Sequence, residues 1–372
     1  MAGDTRNTRS NTTAKNSSLA RAQVAKQDEF YTQRADIERE LRHYKKHFKG
    51  KTVFLNCDDP RVSNFFHYFS YSFEKLELKK LIAACYKSQA VDTFSAGDSE
   101  HAIWLEYEGD KNGSGVPDLD EIGVKHFEGD GDFRSVESIE LLKQADIVVT
   151  NPPFSLFREY VAQLIEYEKK FVIIGRGDAI TYKELFPLFQ QNRIWLGNGF
   201  QAGNAYFATA HSAEDYASGV YDQQTGLVKF RNVAWFTNLD IAKRHEELTL
   251  WKTYSSDLYP KYDNFDAIEV SKTADIPLDY GGVMGVPTTF MAYHNPDQFE
   301  IVGITKTWFG LATKTYPPQT QVSANGKRSK VTKLNDGAVL KVAAPPKGKT
   351  YYEVNGEFFV QTYPRILIRR KK

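Results

Sequence analysis

The sequence predicts an α/β fold built on a doubly wound, largely parallel sheet, and three features predict it. Short continuous aliphatic runs, T-V-F-L-N-C, K-L-I-A-A-C, D-I-V-V-T and K-F-V-I-I-G, read as strands buried on both faces. Between them, apolar residues recur at three- and four-residue intervals, as on the inner face of a helix. The chain has 372 residues, 41% hydrophobic and 14% aromatic, enough for one large core and a second lobe.

The elements follow in order. Residues 1–26, rich in Ser, Thr, Asn and Ala with scattered basic side chains, read as a flexible basic tail. From Asp28, the spacing of Ile37, Leu41 and Tyr44 predicts a helix that stops at Gly50. The strand T-V-F-L-N-C, the helix V-S-N-F-F-H-Y-F-S-Y-S-F-E-K-L and the strand K-L-I-A-A-C-Y-K form a βαβ unit. From His101 to Phe133 the rhythm breaks: W-L-E-Y-E alternates, G-D-K-N-G-S-G is turn chemistry, and an inserted hairpin is expected. Helix S-V-E-S-I-E-L-L-K-Q-A, strand D-I-V-V-T, helix S-L-F-R-E-Y-V-A-Q-L-I-E-Y-E-K and strand K-F-V-I-I-G complete a Rossmann-like domain over 27–245. R-I-W-L-G-N-G, A-Y-F-A-T-A and L-V-K-F-R-N-V-A-W-F are expected to close its sheet with antiparallel strands. Beyond, the pattern is irregular and proline-punctuated, which predicts a loop-rich second domain over 246–372.

Composition excludes several classes. Cys57 and Cys85 each sit beside an apolar run and read as reduced, core-type thiols of a cytoplasmic protein. No apolar run is long enough to span a membrane, and the eight histidines show no metal-ligand spacing, so neither membrane nor metal is expected. The overall net charge of +1 is neutral on partners, but residues 327–372 hold twelve basic side chains against three acidic ones. That local excess is a candidate phosphate-binding footprint, with Lys327, Arg328 and Lys330 in its G-K-R-S-K turn. A solubilising loop and tail is the competing reading.

The chemistry concentrates at Asn151, Pro152, Pro153 and Phe154, directly behind D-I-V-V-T. Ligands of open α/β sheets bind beyond the carboxyl ends of the strands, where this corner falls. The 6-amino group of adenine is a poor nucleophile, because its lone pair is delocalised into the ring. Two oxygen acceptors on its hydrogens localise that pair, and the Asn151 side chain and Pro152 main chain offer them. Proline fixes φ and brings no competing N–H. Phe154 is suited to stack on an extruded base. A plain Pro-Pro turn is the alternative.

N-P-P-F resembles the motif of amino-group methyltransferases that use S-adenosyl-L-methionine. The wider set, T-V-F-L-N-C-D-D-P-R-V-S-N-F-F, G-D-F-R-S-V-E-S, Y-P-K-Y-D-N-F-D-A-I-E-V, G-V-M-G-V-P-T-T-F and R-I-L-I-R, resembles the EcoRI-type adenine-specific DNA methyltransferases over nearly everything after Asp28. The resemblance implies a Rossmann-like methyltransferase sheet with a C-terminal target-recognition domain, and methylation of a flipped adenine in double-stranded DNA. It implies that Phe30, Tyr31 and Thr32 approach the methionine moiety of the cofactor. Asn56, Cys57, Asp58, Asp59 and Pro60 would replace the usual glycine-rich turn, a departure from the F-x-G-x-G pattern. Asp132 and Phe133 match an Asp-Phe pair that holds the cofactor adenine, and Asn151 would border the cofactor as well. No acid ends the second strand, so the ribose contact has no candidate.

Other readings remain open. Asp58-Asp59-Pro60 also fits a helix cap with a helix-starting proline, and Asp132-Phe133 a helix-entry turn with a core aromatic. G-R-G-D at Gly175 to Asp178 reads as a loop lining the cleft. RNA adenine or protein glutamine are alternative acceptors, and a catalytically inactive DNA-binding protein is the alternative outside enzymes. A monomer working in a bacterial or phage-infected cell fits the whole.

Overall fold

The computed structural model describes residues 31–371 except 61–62, 87–101, 116, 119–120, 210–215 and 217–218. The expected tail over 1–26, Phe30 and the terminal Lys372 lie outside the described residues.

Among the described residues the first element is a two-residue strand, β1 (Tyr31–Thr32), followed by the helix α1 (Arg34–Leu41); Asp28 lies outside them. Ile37, Leu41 and Tyr44 are wholly buried, as their spacing requires. Then come β2 (Thr52–Asn56), α2 (Asn64–Tyr71), β3 (Lys80–Ala84), β4 (Ile103–Tyr107) and β5 (Gly123–His126). The β4–β5 hairpin extends the sheet beside β3. The Asp110 carboxylate organises its turn, accepting from the N–H groups of Gly113 at 2.7 Å and Gly115 at 2.6 Å. Helix α3 (Val136–Gln144), β6 (Ile147–Thr150), α4 (Phe157–Glu166) and β7 (Lys170–Arg176) follow.

The remaining strands of the first part are β8 (Trp195–Leu196), β9 (Asn204–Ala208), β10 (Tyr221–Asp222), β11 (Leu227–Arg231) and β12 (Val233–Thr237). One eight-stranded mixed sheet runs β5-β4-β3-β2-β6-β7-β12-β8. Its four central strands are parallel, and both flanks are antiparallel. The period of two divides its side chains between two cores. Phe54, Val148 and Ile173 face a core with α3 and α4, whereas Val53, Val149 and Val172 face one with α1 and α2.

One expectation about closure is corrected. Only β8 and β12 join the large sheet; β9 and β11 pair with β1 and β10 in a separate four-stranded sheet, β1-β9-β11-β10. The cause sits between β11 and β12, where Asn232 adopts φ +60°. That left-handed residue turns one continuous apolar run into two sheets.

The C-terminal region is loop-rich, as its irregular pattern predicts, and short strands gather it into two sheets. A four-stranded sheet contains β13 (Ile268–Glu269), β14 (Met284–Pro287), β15 (Phe299–Ile304) and β21 (Arg365–Arg370). A five-stranded antiparallel sheet, β17-β16-β19-β20-β18, comprises β16 (Gln319–Val322), β17 (Arg328–Val331), β18 (Val339–Val342), β19 (Tyr351–Val354) and β20 (Glu357–Gln361). Strands this short carry too few alternations to stand out from their turns. Met284, Val286, Phe290, Ile301 and Ile366 continue the core that holds Phe54 and Val148, so apolar packing crosses residue 246 unbroken. Gln190 also donates to the Val302 carbonyl at 3.0 Å across that line.

Candidate functional site

β2 and β6 are neighbours in the middle of the parallel sheet, and the chain leaves β2 towards β3 on one side before returning as β6 on the other. Such a reversal opens a crevice at the carboxyl ends of the two strands. Asn56 ends β2 and Asn151 follows β6, both under a tenth exposed. A polar lock joins them. Thr150 donates its hydroxyl to the Asn56 carbonyl, and Tyr160 from α4 donates its hydroxyl to Asn56 Oδ1. Burial of the Tyr160 phenol raises its pKa far above the ordinary value, so it stays a donor.

The chain then turns through Cys57 with φ +106°, a conformation that costs a non-glycine residue energy. Its N–H is held by the Ala84 carbonyl at 3.1 Å, which fixes the loop to the end of β3. Burial, helped by the Asp58 carboxylate, pushes the Cys57 thiol well above its usual pKa, which favours the neutral thiol. Asp58 and Asp59 are half-buried and Pro60 is buried. The helix-cap reading of these three is corrected. Ser63 caps α2 by accepting from the Phe65 N–H at 3.2 Å, while its own hydroxyl lies 3.2 Å from Asp58 Oδ2. Asn64 donates to the Thr32 carbonyl at 2.8 Å, bringing β1 to the same place.

Behind β6 the corner Asn151-Pro152-Pro153-Phe154 is buried at its first two residues and half-buried at the last two. Leu156 N–H takes the Pro153 carbonyl at 3.0 Å, starting the tight turn that leads into α4. Among the described residues, no hydrogen bond ends on the Pro152 carbonyl. The Phe154 ring meets Phe230 of β11 edge-on, with centroids 6.3 Å apart, and Phe230 rests on Phe207 at 5.5 Å. The small sheet thus braces the corner from outside.

Asp132 and Phe133 lie on the adjoining loop. Gly131 there has φ +74°, and a Cβ would strike the Cys85 carbonyl at 2.4 Å, so the loop packs tightly on the end of β3. Phe133 is 8% exposed and packs edge-on against Tyr160 at 5.1 Å. Arg134 grips the Asp132 carboxylate at 2.9 and 2.7 Å and reaches Glu159 at 3.0 Å. Asp132 therefore carries a fixed partner, and Phe133 serves the core as the bland reading expected.

Tyr31 and Thr32, the Asn56 to Pro60 loop, Asp132, Phe133 and the Asn151 to Phe154 corner thus form one connected constellation. Lys327, Arg328 and Lys330 stand apart on the exposed β16–β17 hairpin. Arg328 is paired there with Glu353. Tyr160, Thr150, Asn64 and Phe230 were not singled out from the sequence. Tyr160 falls on the apolar stripe of its helix with Phe157 and Leu164, and that periodicity hides the hydroxyl. The usable signal is that a buried phenol must find an acceptor. No group of His, Cys, Asp and Glu with metal-holding geometry exists among the described residues. No helix among them is long and apolar enough to cross a membrane.

Comparison with known proteins identifies the family. Type II methyltransferase M.EcoRI of Escherichia coli is 50% identical over 297 residues, 79% of this chain and 90% of that protein. Type II methyltransferases M.MpnI of Mycoplasma pneumoniae and M.MgeORF184P of Mycoplasma genitalium are 38% and 37% identical, each over 76% of this chain and 84% of the relative. No solved structure matches the chain. Residues 18–371 match the family described as adenine-specific methyltransferase EcoRI, and the chain belongs to that family.

Proposed function

We propose that this enzyme transfers a methyl group from S-adenosyl-L-methionine to the 6-amino nitrogen of an adenine flipped out of double-stranded DNA. The observation that carries the reading is the Asn151 to Phe154 corner at the carboxyl end of β6, set beside the Asn56 to Pro60 loop at the end of β2. Family membership supports adenine as the acceptor base, and the type II methyltransferases among its relatives support DNA. The parallel centre of the sheet, with helices on both faces, supports a Rossmann-like catalytic domain over 27–245. The basic hairpin supports target recognition by 246–372.

The chain's own residues divide the work. Asn151 Oδ1 and the Pro152 carbonyl accept the two amino hydrogens, which directs the nitrogen lone pair out of the ring plane. Pro153 stiffens the corner, and Phe154, braced by Phe230, stacks on the base. The Tyr160 and Thr150 hydrogen bonds fix Asn56, and with it the loop that faces the cofactor. When bound, S-adenosyl-L-methionine supplies an electrophilic methyl on a sulfonium. The donor set fits it: the paired carboxylates of Asp58 and Asp59 suit its ammonium and sulfonium charges, Tyr31 and Thr32 adjoin the same end, and the family resemblance adds Phe30 to them. Asp132 and Phe133 are proposed at its adenine end, with Phe133 offering only the edge not packed on Tyr160. Acceleration comes mainly from positioning and polarisation, and the surplus proton leaves to water. The setting fits the cytoplasm of a bacterial or phage-infected cell.

The test is transfer of labelled methyl to unmethylated duplex DNA, followed by nucleoside analysis. Label in N6-methyladenine is expected. Label in 5-methylcytosine, or only in RNA or protein, refutes the reading.

A further inference from the structure

A cleft of about 290 Å³ lies between the two halves of the chain, lined by Gly177, Asp178 and Asn232 on one side and by Pro287, Tyr363 and Arg365 on the other. Gly177 directly follows β7, which is the parallel neighbour of β6. The cleft therefore opens one strand away from the Asn151 corner, on the same edge of the sheet.

Tyr363 stands at its mouth and is 84% exposed, the most exposed large hydrophobic side chain among the described residues. Its mount is rigid. On one side, Thr362 N–H is held by the Ala338 carbonyl at 2.9 Å. On the other, Pro364 restricts φ, and Arg365 N–H is held by Thr305 Oγ1 at 2.9 Å. The Arg365 guanidinium, 13% exposed, is locked to Glu269 at 2.6 Å. A single exposed aromatic ring is ordinary on a protein surface, but one held on so fixed a stem at the mouth of a cleft is already placed to enter a partner without ordering cost.

The topology indicates which partner. β16 and β20 are each antiparallel to β19 and so run in the same direction. The turn after β16, which holds Lys327, and the loop after β20, which holds Tyr363, therefore leave the sheet at the same end, two strands or roughly 10 Å apart. Phosphate-attracting charge, an exposed rigid ring and the carboxyl edge of the catalytic sheet thus share one side of the molecule.

We propose that Tyr363 is the wedge that enters the base stack of the bound duplex and occupies the space left by the extruded adenine. Apolar and aromatic side chains inserted between base steps offset part of the unstacking cost. Here the ring would hold the gap open while the adenine rests against Phe154. The proposal rests on the base-flipping reading above.

The test compares two synthetic duplexes carrying the mapped methylation site, one fully matched and one with an abasic position opposite the target adenine. Unpairing the target lowers the extrusion cost in advance. Tyr363→Ala is expected to lower kcat/KM on the matched duplex about tenfold and to stay within about threefold of wild type on the abasic one. Tyr363→Phe, which keeps the ring, is expected to match wild type on both. An equal loss on both duplexes, or no loss on the matched one, overturns the wedge. Absence of adenine methylation by the wild-type enzyme on either duplex would instead overturn the parent reading.

Discussion

The Asn151 corner and the Lys327 hairpin, the two places proposed to meet DNA, are built in opposite ways. At the corner, Asn151 and Pro152 are buried, and the neighbouring Asn56 is held by hydroxyls from two separate elements. At the hairpin, the residues from Ala324 to Lys330 are all exposed, on a short turn closed by Ser323 N–H to the Lys327 carbonyl at 2.9 Å. The difference follows from how each interaction decays with distance. Polarising an amino group requires oxygens at hydrogen-bond range, so displacement of about 1 Å costs rate. Attraction of a cation to phosphate acts over roughly a Debye length, about 8 to 10 Å, and tolerates a moving side chain. On the proposed reading, chemistry sits on rigid strand ends and attraction on exposed loops.

The sharpest way to break this contrast is at Asn151. Asn151→Ala is expected to retain cofactor binding and DNA binding while turnover falls at least about a hundredfold, the usual effect of removing one polarising partner. Single-turnover methyl transfer alongside cofactor titration separates the two. Near-normal turnover would mean that the buried corner is structural.

The C-terminal half is not all tolerance, and pH probes its one strongly shifted histidine. Burial lowers the His294 pKa from 6.5 to about 4, and Nε2 lies 3.1 Å from the Phe299 carbonyl. A folded pKa below the unfolded one means that protonation favours the unfolded chain. This contribution is complete above about pH 6.5 and fades as pH falls towards 4, by up to about 3 kcal/mol. Urea unfolding across that window should show the loss, and His294→Gln should flatten that part of the slope. Unchanged dependence in the variant would assign the titration to another group.

These two regions were also unequally legible in the sequence. The corner could be read because N-P-P-F follows a strand whose every residue is buried, so position and chemistry pointed the same way. Its supports could not. Tyr160 looks like one more apolar helix residue, and Phe230 belongs to a strand that Asn232 diverts into another sheet. Local periodicity records which face is buried but not what a buried hydroxyl touches. The alternative cap reading of Asp58 to Pro60 fails for a related reason: Ser63, not Asp58 or Asp59, supplies the cap, and a cap is decided by where the helix begins. In the C-terminal half, strands of two to six residues kept the sheets hidden while the charge excess stayed visible.

Charge counted from sequence overstates the hairpin, which sets the smallest expected effect. Arg328 is bound to Glu353, whereas Lys327 and Lys330 have no ion-pair partner among the described residues. Each phosphate neutralised contributes roughly 0.9 to the slope of log affinity against log salt. Lys327→Ala with Lys330→Ala should therefore lower that slope by about 2. Adding Arg328→Ala should change it by less than one further contact, because its guanidinium must leave Glu353 to reach a phosphate. Turnover at saturating DNA should hold, since these cations attract the duplex without touching the amino group. Equal contributions from all three cations would mean that DNA displaces Glu353. A fall in turnover to match the fall in affinity would show that the hairpin also sets the register of the duplex on the Asn151 corner, and the division between rigid chemistry and tolerant attraction would fail there.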